Sequence, residues 1–366
     1  MGQRLKLTKN ECDDFIAGLK YQSATDIYSD IGKDVLFTLE HLHYTDIYNQ
    51  LKERRKKISN MTSLYREFVN FYIPTGKEYR DVSFACISCL KNKINHVRHS
   101  SQCNAKCEFC YFYGQVDPSR FVPQWAYRES SLRSNMNLDE IMIMLHKQIL
   151  PQVDAIGWLE KEPLINLEKM QPVMGFISNH GKYQYLYTNG ILANEETLKK
   201  LNSWGLNEIR FNLQATDFSQ QVLDHLTLAG KIFEYVCIET PLFSKSFNNF
   251  KKHKSQIIDS GVKQINAAEL QLTPFNMDVF KDEGEIYRSR RGYVSPVSSR
   301  HYVYDLIELA DDEKWDIIIN DCSNDTKFFR GVAPDSGIHY ETCFKFLPYE
   351  YYLKVIDKYV GKELII

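Results

Sequence analysis

The 366-residue sequence has no run approaching the roughly twenty consecutive apolar residues of a membrane-spanning helix. Its opening, MGQRLKLTKNECDDF, carries no apolar core of signal-peptide type. The expectation is a soluble, cytoplasmic protein without a membrane partner. A basic excess is missing as well: 45 Lys and Arg against 47 Asp and Glu leave a formal charge of -2. No nucleic acid is expected, because gripping a phosphate backbone takes a concentrated positive surface. There is no low-complexity tract and no short repeat, which excludes solenoids and arrays. What remains is ordinary globular composition, 43% hydrophobic and 25% charged, sufficient for one large domain and a smaller appendage.

Residues 1–80 show helical spacing (Phe15, Leu19; Ile27, Ile31; Leu36, Leu39, Leu42; Ile47, Leu51) without strand-like alternation, and so predict an N-terminal helical domain. The basic run Lys52 to Lys57 within it is expected as a solvated helix face. From about residue 95 short β-rich runs alternate with amphipathic helices. Strands are expected at 96–101, 155–159, 183–187, 208–213, 235–238, 264–268 and 316–320. Asn137 with Glu140 marks one helix start and Asn194 another, while Gly205, Gly230 and Gly261 each follow an apolar-periodic stretch and lead into a strand. Parallel strands joined this way need right-handed crossovers, so the fold class is α/β, a partial or full (β/α) barrel at 81–321. A C-terminal extension at 322–366 carries further cysteine. The functional face belongs at the C-terminal ends of the strands.

Nine cysteines in a reducing compartment point to metals or catalysis rather than disulfides. Cys103, Cys107 and Cys110 stand in C-x3-C-x2-C spacing directly after the first barrel strand. Three thiolates can ligate three irons of a [4Fe-4S] cube and leave the fourth open to a chelating small molecule; a structural zinc site is the bland alternative. Cys86 and Cys89 form C-x2-C just before the barrel, and Cys322 and Cys343 come after its last strand. Since a barrel brings its start and end together, these four are candidates for an auxiliary [4Fe-4S] cluster, a zinc site, or unpaired buried thiols. Cys12 and Cys237 read as ordinary cysteines in apolar surroundings.

The cluster loop, together with the motifs downstream of it, resembles the radical S-adenosylmethionine (SAM) superfamily. The upstream Cys86/Cys89 pair, Tyr187-Thr188-Asn189-Gly190, Asn207 to Phe211, Glu239-Thr240-Pro241, Asn266 to Leu270 and Asp321-Cys322-Ser323 with Lys327 are similar to a mostly uncharacterised, largely archaeal family related to pyruvate formate-lyase activating enzyme. The resemblance implies SAM chelated by the open iron and cleaved by one electron to a 5′-deoxyadenosyl radical. Trp158 to Leu164 looks like the superfamily's Gly-Gly-Glu-Pro segment, which hydrogen-bonds the SAM ammonium group; Glu162 and Pro163 match, while Glu160 and Lys161 replace both glycines and put the loop's path in question. Phe109, Asn189, Glu239 and Glu269 are further cofactor-contact candidates, the last two equally readable as rim residues. On the fourth strand, alternation sends Arg210, Asn212 and Gln214 to one face and Phe211 and Leu213 to the other.

The resemblance implies a reducing partner such as flavodoxin or ferredoxin, and a substrate from which hydrogen is abstracted. A peptide or small natural-product precursor is the expectation, because an added N-terminal domain can supply recognition without charge steering. Activation of a glycyl-radical enzyme is the alternative, and a non-enzymatic iron-sulfur or zinc protein is the rival of another class.

Overall fold

A computed structural model describes residues 4–6, 45–63, 70–91, 93–97, 102–110, 125–126, 131–132, 138–159, 161–272, 276, 278–288, 294–324, 326, 345–347 and 363–365. Among these, nine strands form the central sheet: β1 (Met61–Ser63), β2 (Asn70–Tyr72), β3 (Ile94–Val97), β4 (Ala155–Trp158), β5 (Tyr183–Thr188), β6 (Glu208–Phe211), β7 (Tyr235–Leu242), β8 (Gln264–Glu269) and β9 (Ile318–Cys322). They run in the order β1-β2-β9-β8-β7-β6-β5-β4-β3, and the sheet is open. All pairings from β3 to β9 are parallel; β1 and β2 add on antiparallel. The seven expected barrel strands are all present, with ends shifted by a few residues.

The helices are α1 (Thr45–Lys57), α2 (Phe84–Leu90), α3 (Leu138–Met144), α4 (Leu167–Asn179), α5 (Glu195–Ser203), α6 (Gln220–Ile232), α7 (Ser244–Asp259) and α8 (Val297–Asp312). Strand alternation separates two faces of the sheet. One face carries Ile156, Trp158, Leu186, Ile209, Phe211, Val236, Ile238, Ile265 and Ile319, which pack with the inward stripes of α4 to α8 into the main core. Fully burying such a side chain is worth about 1.5–3 kcal/mol, so this layer is what holds the crossover helices to the sheet. The other face is polar and aromatic: Tyr185, Tyr187, Glu208, Arg210, Glu239, Gln264, Asn266 and Asn320. Helix α2 lies against this inner face, with Ala85 packed on Ala155 and Tyr185 and Cys86 packed near Ile318. Gly157 is required there, because a Cβ would stand 2.6 Å from Tyr185 Cζ and 2.7 Å from His96 Cδ2.

Asn194 caps α5 as expected, accepting from the Thr197 amide, and Gly205 and Gly261 take left-handed φ values of 91° and 85° beyond their helices. Gly230 differs. It lies inside the last turn of α6, where a Cβ would come 1.9 Å from the Ser260 carbonyl oxygen, so it permits helix approach rather than helix termination. Asn137 falls outside the described residues.

Of the N-terminal 1–80 segment, residues 7–44 lie outside the described residues. Helix α1 is present, but 61–63 and 70–72 are strands that extend the central sheet rather than helix. Their short length, three residues each, left too little alternation to detect. The basic run also differs from a purely solvated face. Arg54 on α1 grips Asp305 at 2.6 Å and Glu308 at 2.8 Å on α8, pinning α1 to the outer layer. No helix among the described residues is long and apolar enough to cross a membrane.

Candidate functional site

The loop after β3 is held over the C-terminal ends of four successive strands. The Gln102 carbonyl accepts from the Glu162 amide at 3.0 Å, beyond β4. Asn189, beyond β5, donates from Nδ2 to Asn104 Oδ1 at 2.7 Å and points the same amide at Cys103 Sγ, 4.0 Å away. Cys107 Sγ lies 3.8 Å from the Ala215 carbonyl oxygen beyond β6. Beyond β7, Lys245 bridges Glu108 at 3.1 Å and Asp217 at 2.7 Å, and the buried Phe109 ring packs on Phe243. This is the face where a (β/α) barrel builds its chemistry.

Of the three thiols of that loop, Cys107 is affected by the other two. Burial, then the neighbouring Cys110 and Cys103, push the Cys107 thiol up to about 12, and burial raises Cys103. Thiols that burial holds protonated are relieved by a polycation that takes them as thiolates. Among the described residues no three His, Cys, Asp or Glu side chains are gathered as a single-ion site; a cubane takes one thiolate per iron. The donor set and its position fit a [4Fe-4S] cluster held by Cys103, Cys107 and Cys110.

Glu162 is fully buried and turned inward. Its Oε1 accepts from the Leu164 amide at 3.1 Å and the Thr188 hydroxyl at 2.9 Å, and its Oε2 accepts from the Asn189 amide at 2.7 Å. Burial raises its carboxyl to about 7. The side chain therefore braces the β4 loop to the Thr188-Asn189-Gly190 segment and leaves the backbone of its loop as the surface available to a cofactor. Pro163, also buried, opens the short turn that follows. Lys161 resolves the loop's path: it sits at φ 50°, the left-handed region where glycine is at ease, so the chain keeps the glycine conformation without the glycine. Glu160 lies outside the described residues.

The β6 candidates separate. Arg210 is buried and committed: Nε donates to Glu208 at 2.6 Å, and Nη1 to Tyr187 at 2.9 Å and Glu239 at 3.0 Å. Its Nη2 donates to Ser83 at 3.2 Å and reaches Cys86 Sγ at 3.4 Å. Asn212 accepts from the Thr240 hydroxyl at the strand's end. Gln214 does not continue the inner face, because β6 stops at Phe211 and residues 213–216 coil into a 3-10 turn. Its side chain instead donates to Asp217 and accepts from Asn249. Glu239 is on the inner face, and Glu269 is buried rather than at the rim, accepting from the Asn324 amide at 2.7 Å.

The second cysteine group is built differently. Cys86 is buried on α2, its sulfur within reach of Arg210, of Gln264 Nε2 at 3.2 Å and of Asn266 Oδ1 at 3.5 Å; burial pushes its thiol up to about 11. Cys89 and Cys322 are half-buried. Cys12 and Cys343 lie outside the described residues. Cys237 is not in apolar surroundings: alternation places it on the polar face, where it donates to Glu208 Oε1 at 3.5 Å. Sequence reasoning missed Asn104, Lys245 and the lateral row of Asn266 and Asn320. For the last two, the polar residue directly after a strand isoleucine (Ile265, Ile319) was the available signal.

Known proteins resemble the chain over different spans. An uncharacterised protein of Methanocaldococcus jannaschii is 26% identical over 165 residues, spanning 40% of this chain and 49% of that protein. This chain thus matches about half the length of that relative. Among solved structures, methylornithine synthase aligns over 85% of this chain and 87% of its own at 11% identity, TM-score 0.44. SuiB of Streptococcus suis bound to S-adenosylmethionine aligns over 50% and 42% at 12% identity, TM-score 0.38. Coproporphyrinogen III oxidase of Escherichia coli, a radical SAM enzyme, aligns over 62% and 54% at 12% identity, TM-score 0.39. The family model of the radical SAM superfamily matches residues 97–236, which run from the end of β3 into β7 and contain the cluster loop, the Glu162 brace and Asn189. Over these residues the chain carries a radical SAM domain.

Proposed function

We propose that the chain abstracts hydrogen from a peptide or small natural-product precursor bound against the inner face of the open barrel. A [4Fe-4S] cluster and SAM, when bound, supply the one-electron cleavage of a sulfonium that yields a 5′-deoxyadenosyl radical. The part of Cys103, Cys107 and Cys110 is to hold the cluster as thiolates. Asn189 and Asn104 fix the loop's approach, and Glu162 fixes the backbone on which a cofactor ammonium group would rest. Phe109 and Phe243 close the loop's underside against water, which protects a reactive species from quenching. Cys103 is exposed and Cys107 and Cys110 are half-buried, which suits electron delivery from an external carrier of flavodoxin or ferredoxin type.

The observation that carries this reading is the placement of the Cys103 to Cys110 loop over the strand ends, tied there by Glu162, Asn189 and Ala215. The test is anaerobic reconstitution with iron and sulfide, reduction with dithionite and assay for 5′-deoxyadenosine. Turnover of SAM that requires all three cysteines is the expected result; a fully loaded protein that leaves SAM intact overturns it. For Cys86, Cys89, Cys322 and Cys343, iron content decides: about four irons per chain assigns the loop alone, about eight adds the auxiliary cluster.

A further inference from the structure

The inner face carries a surplus of negative charge. Glu208 is fully buried and satisfied, by Arg210 Nε at 2.6 Å and Cys237 on one oxygen and by Ser83 at 2.6 Å and Tyr183 at 3.1 Å on the other. That pairing already matches the single guanidinium of the cluster. Glu239 is the second carboxylate, its side chain 16% exposed against 5% for Arg210 and 0% for Glu208. Both of its described hydrogen bonds, from Arg210 Nη1 at 3.0 Å and Asn266 Nδ2 at 3.1 Å, fall on Oε2. Among the described residues Oε1 accepts none.

A separate observation lies in the same row. Glu239, Asn266 and Asn320 are in register across β7, β8 and β9. Asn320 is only 4% exposed; its Nδ2 donates to Asn266 Oδ1 at 2.9 Å, while its own Oδ1 is buried with no hydrogen-bond partner. An unpaired buried acceptor is destabilising, and a half-buried carboxylate that shares its only guanidinium with a second carboxylate is incompletely balanced. Among the described residues the inner face thus holds two acceptor atoms without partners, one of them on a carboxylate, and no unmatched cation.

Resting on the function proposed above, we propose that this row docks a protonated amine of the substrate, with Glu239 Oε1 and Asn320 Oδ1 as its acceptors. The ammonium group supplies the missing positive charge and the missing donor together. A carboxylate or phosphate group is disfavoured at the same place, since it meets Glu239.

The test uses reconstituted holoenzyme with SAM already bound, so that the cofactor site is filled, and equilibrium dialysis with labelled n-butylammonium as probe. n-Butyrate is the charge-reversed control and n-butanol the neutral one. Expected is saturable butylammonium binding at least tenfold tighter than either control, weakened at least tenfold in Glu239→Gln and in Asn320→Leu. Thermal melts confirm that each variant is folded, and the near-isosteric Glu239→Gln carries the test should Asn320→Leu not fold. Butyrate or butanol binding as well as butylammonium, variants binding like the parent, or displacement of the amine by added SAM would each overturn the inference. Where the parent makes 5′-deoxyadenosine but shows no amine preference, this inference falls and the proposed function stands. Where a loaded parent makes no 5′-deoxyadenosine, both fall.

Discussion

Two groups of cysteines, each containing a C-x2-C pair, sit within twenty-five residues of each other and have opposite surroundings. The Cys103 to Cys110 loop crosses the strand ends, with Cys103 exposed and Cys107 and Cys110 half-buried. Cys86 on α2 is buried under the sheet's inner face and ringed by a guanidinium and side-chain amides. The spacing is shared, and the neighbours are not. The loop thiols lie at the strand ends, where a cofactor can approach, whereas a thiol already placed among Arg210, Gln264 and Asn266 is part of a packed polar floor.

The contrast breaks most visibly at Cys107. Cys107→Ala removes one of the three proposed ligands and is expected to abolish both the iron bound by the loop and 5′-deoxyadenosine formation, read by iron analysis and product chromatography. Retention of cluster and turnover would dissolve the distinction between the two groups.

A smaller effect concerns the brace beneath the loop. Burial raises the Glu162 carboxyl from an ordinary 4.5 to about 7, against the opposing pull of the Asn189 and Leu164 amides and the Thr188 hydroxyl. Between those pH values the folded state holds a proton that the unfolded state has lost. Its contribution is therefore complete below about 4.5 and lost as pH rises through about 7, by roughly 3 kcal/mol at most. Denaturant titrations of metal-free protein across that window should show the decline, and Glu162→Gln should flatten it; an unchanged slope in the variant would detach Glu162 from the effect.

On the other side of the contrast, Cys86→Ala is expected to cost about 1–2 kcal/mol in denaturant unfolding, from a small cavity and the loss of a polar contact. Iron bound by the loop should be undiminished. A fall of about half in total iron would instead make Cys86 a ligand of a second cluster.

Much of the scaffold was legible because local signals agreed with the fold. Alternation in β4 to β9, the Asn194 cap and the glycines at 205 and 261 all mark real boundaries, and the C-x3-C-x2-C spacing marks the loop. The misreadings have a common origin in what alternation alone carries. It placed Arg210 on the polar face but could not show that Glu208, two residues away, and Glu239, on the next strand, consume its charge. Continued past Phe211 it misplaced Gln214, because the chain turns into a 3-10 helix there. Cys237 looked apolar beside Val236 and Ile238, although the same alternation sends it to the opposite side. Glu162 matched a cofactor motif, while two of its three inward hydrogen bonds come from residues 26 and 27 positions later.

The smallest effect tests why that motif survives without its glycines. Lys161 at φ 50° holds a left-handed conformation that costs an ordinary L-residue roughly 1–2 kcal/mol, and Glu162 cannot reach Thr188 and Asn189 unless the loop turns there. Lys161→Gly removes the strain but frees the unfolded chain, which returns about 0.5–1 kcal/mol of the gain. The net expectation is a stabilisation of up to about 1 kcal/mol in denaturant unfolding, with the loop's path unchanged. Lys161→Val should act in the opposite sense, since a β-branched side chain tolerates this region poorly. A glycine variant less stable than the parent would mean that the lysine side chain, and not the backbone angle, maintains the turn over which the cluster loop is hung.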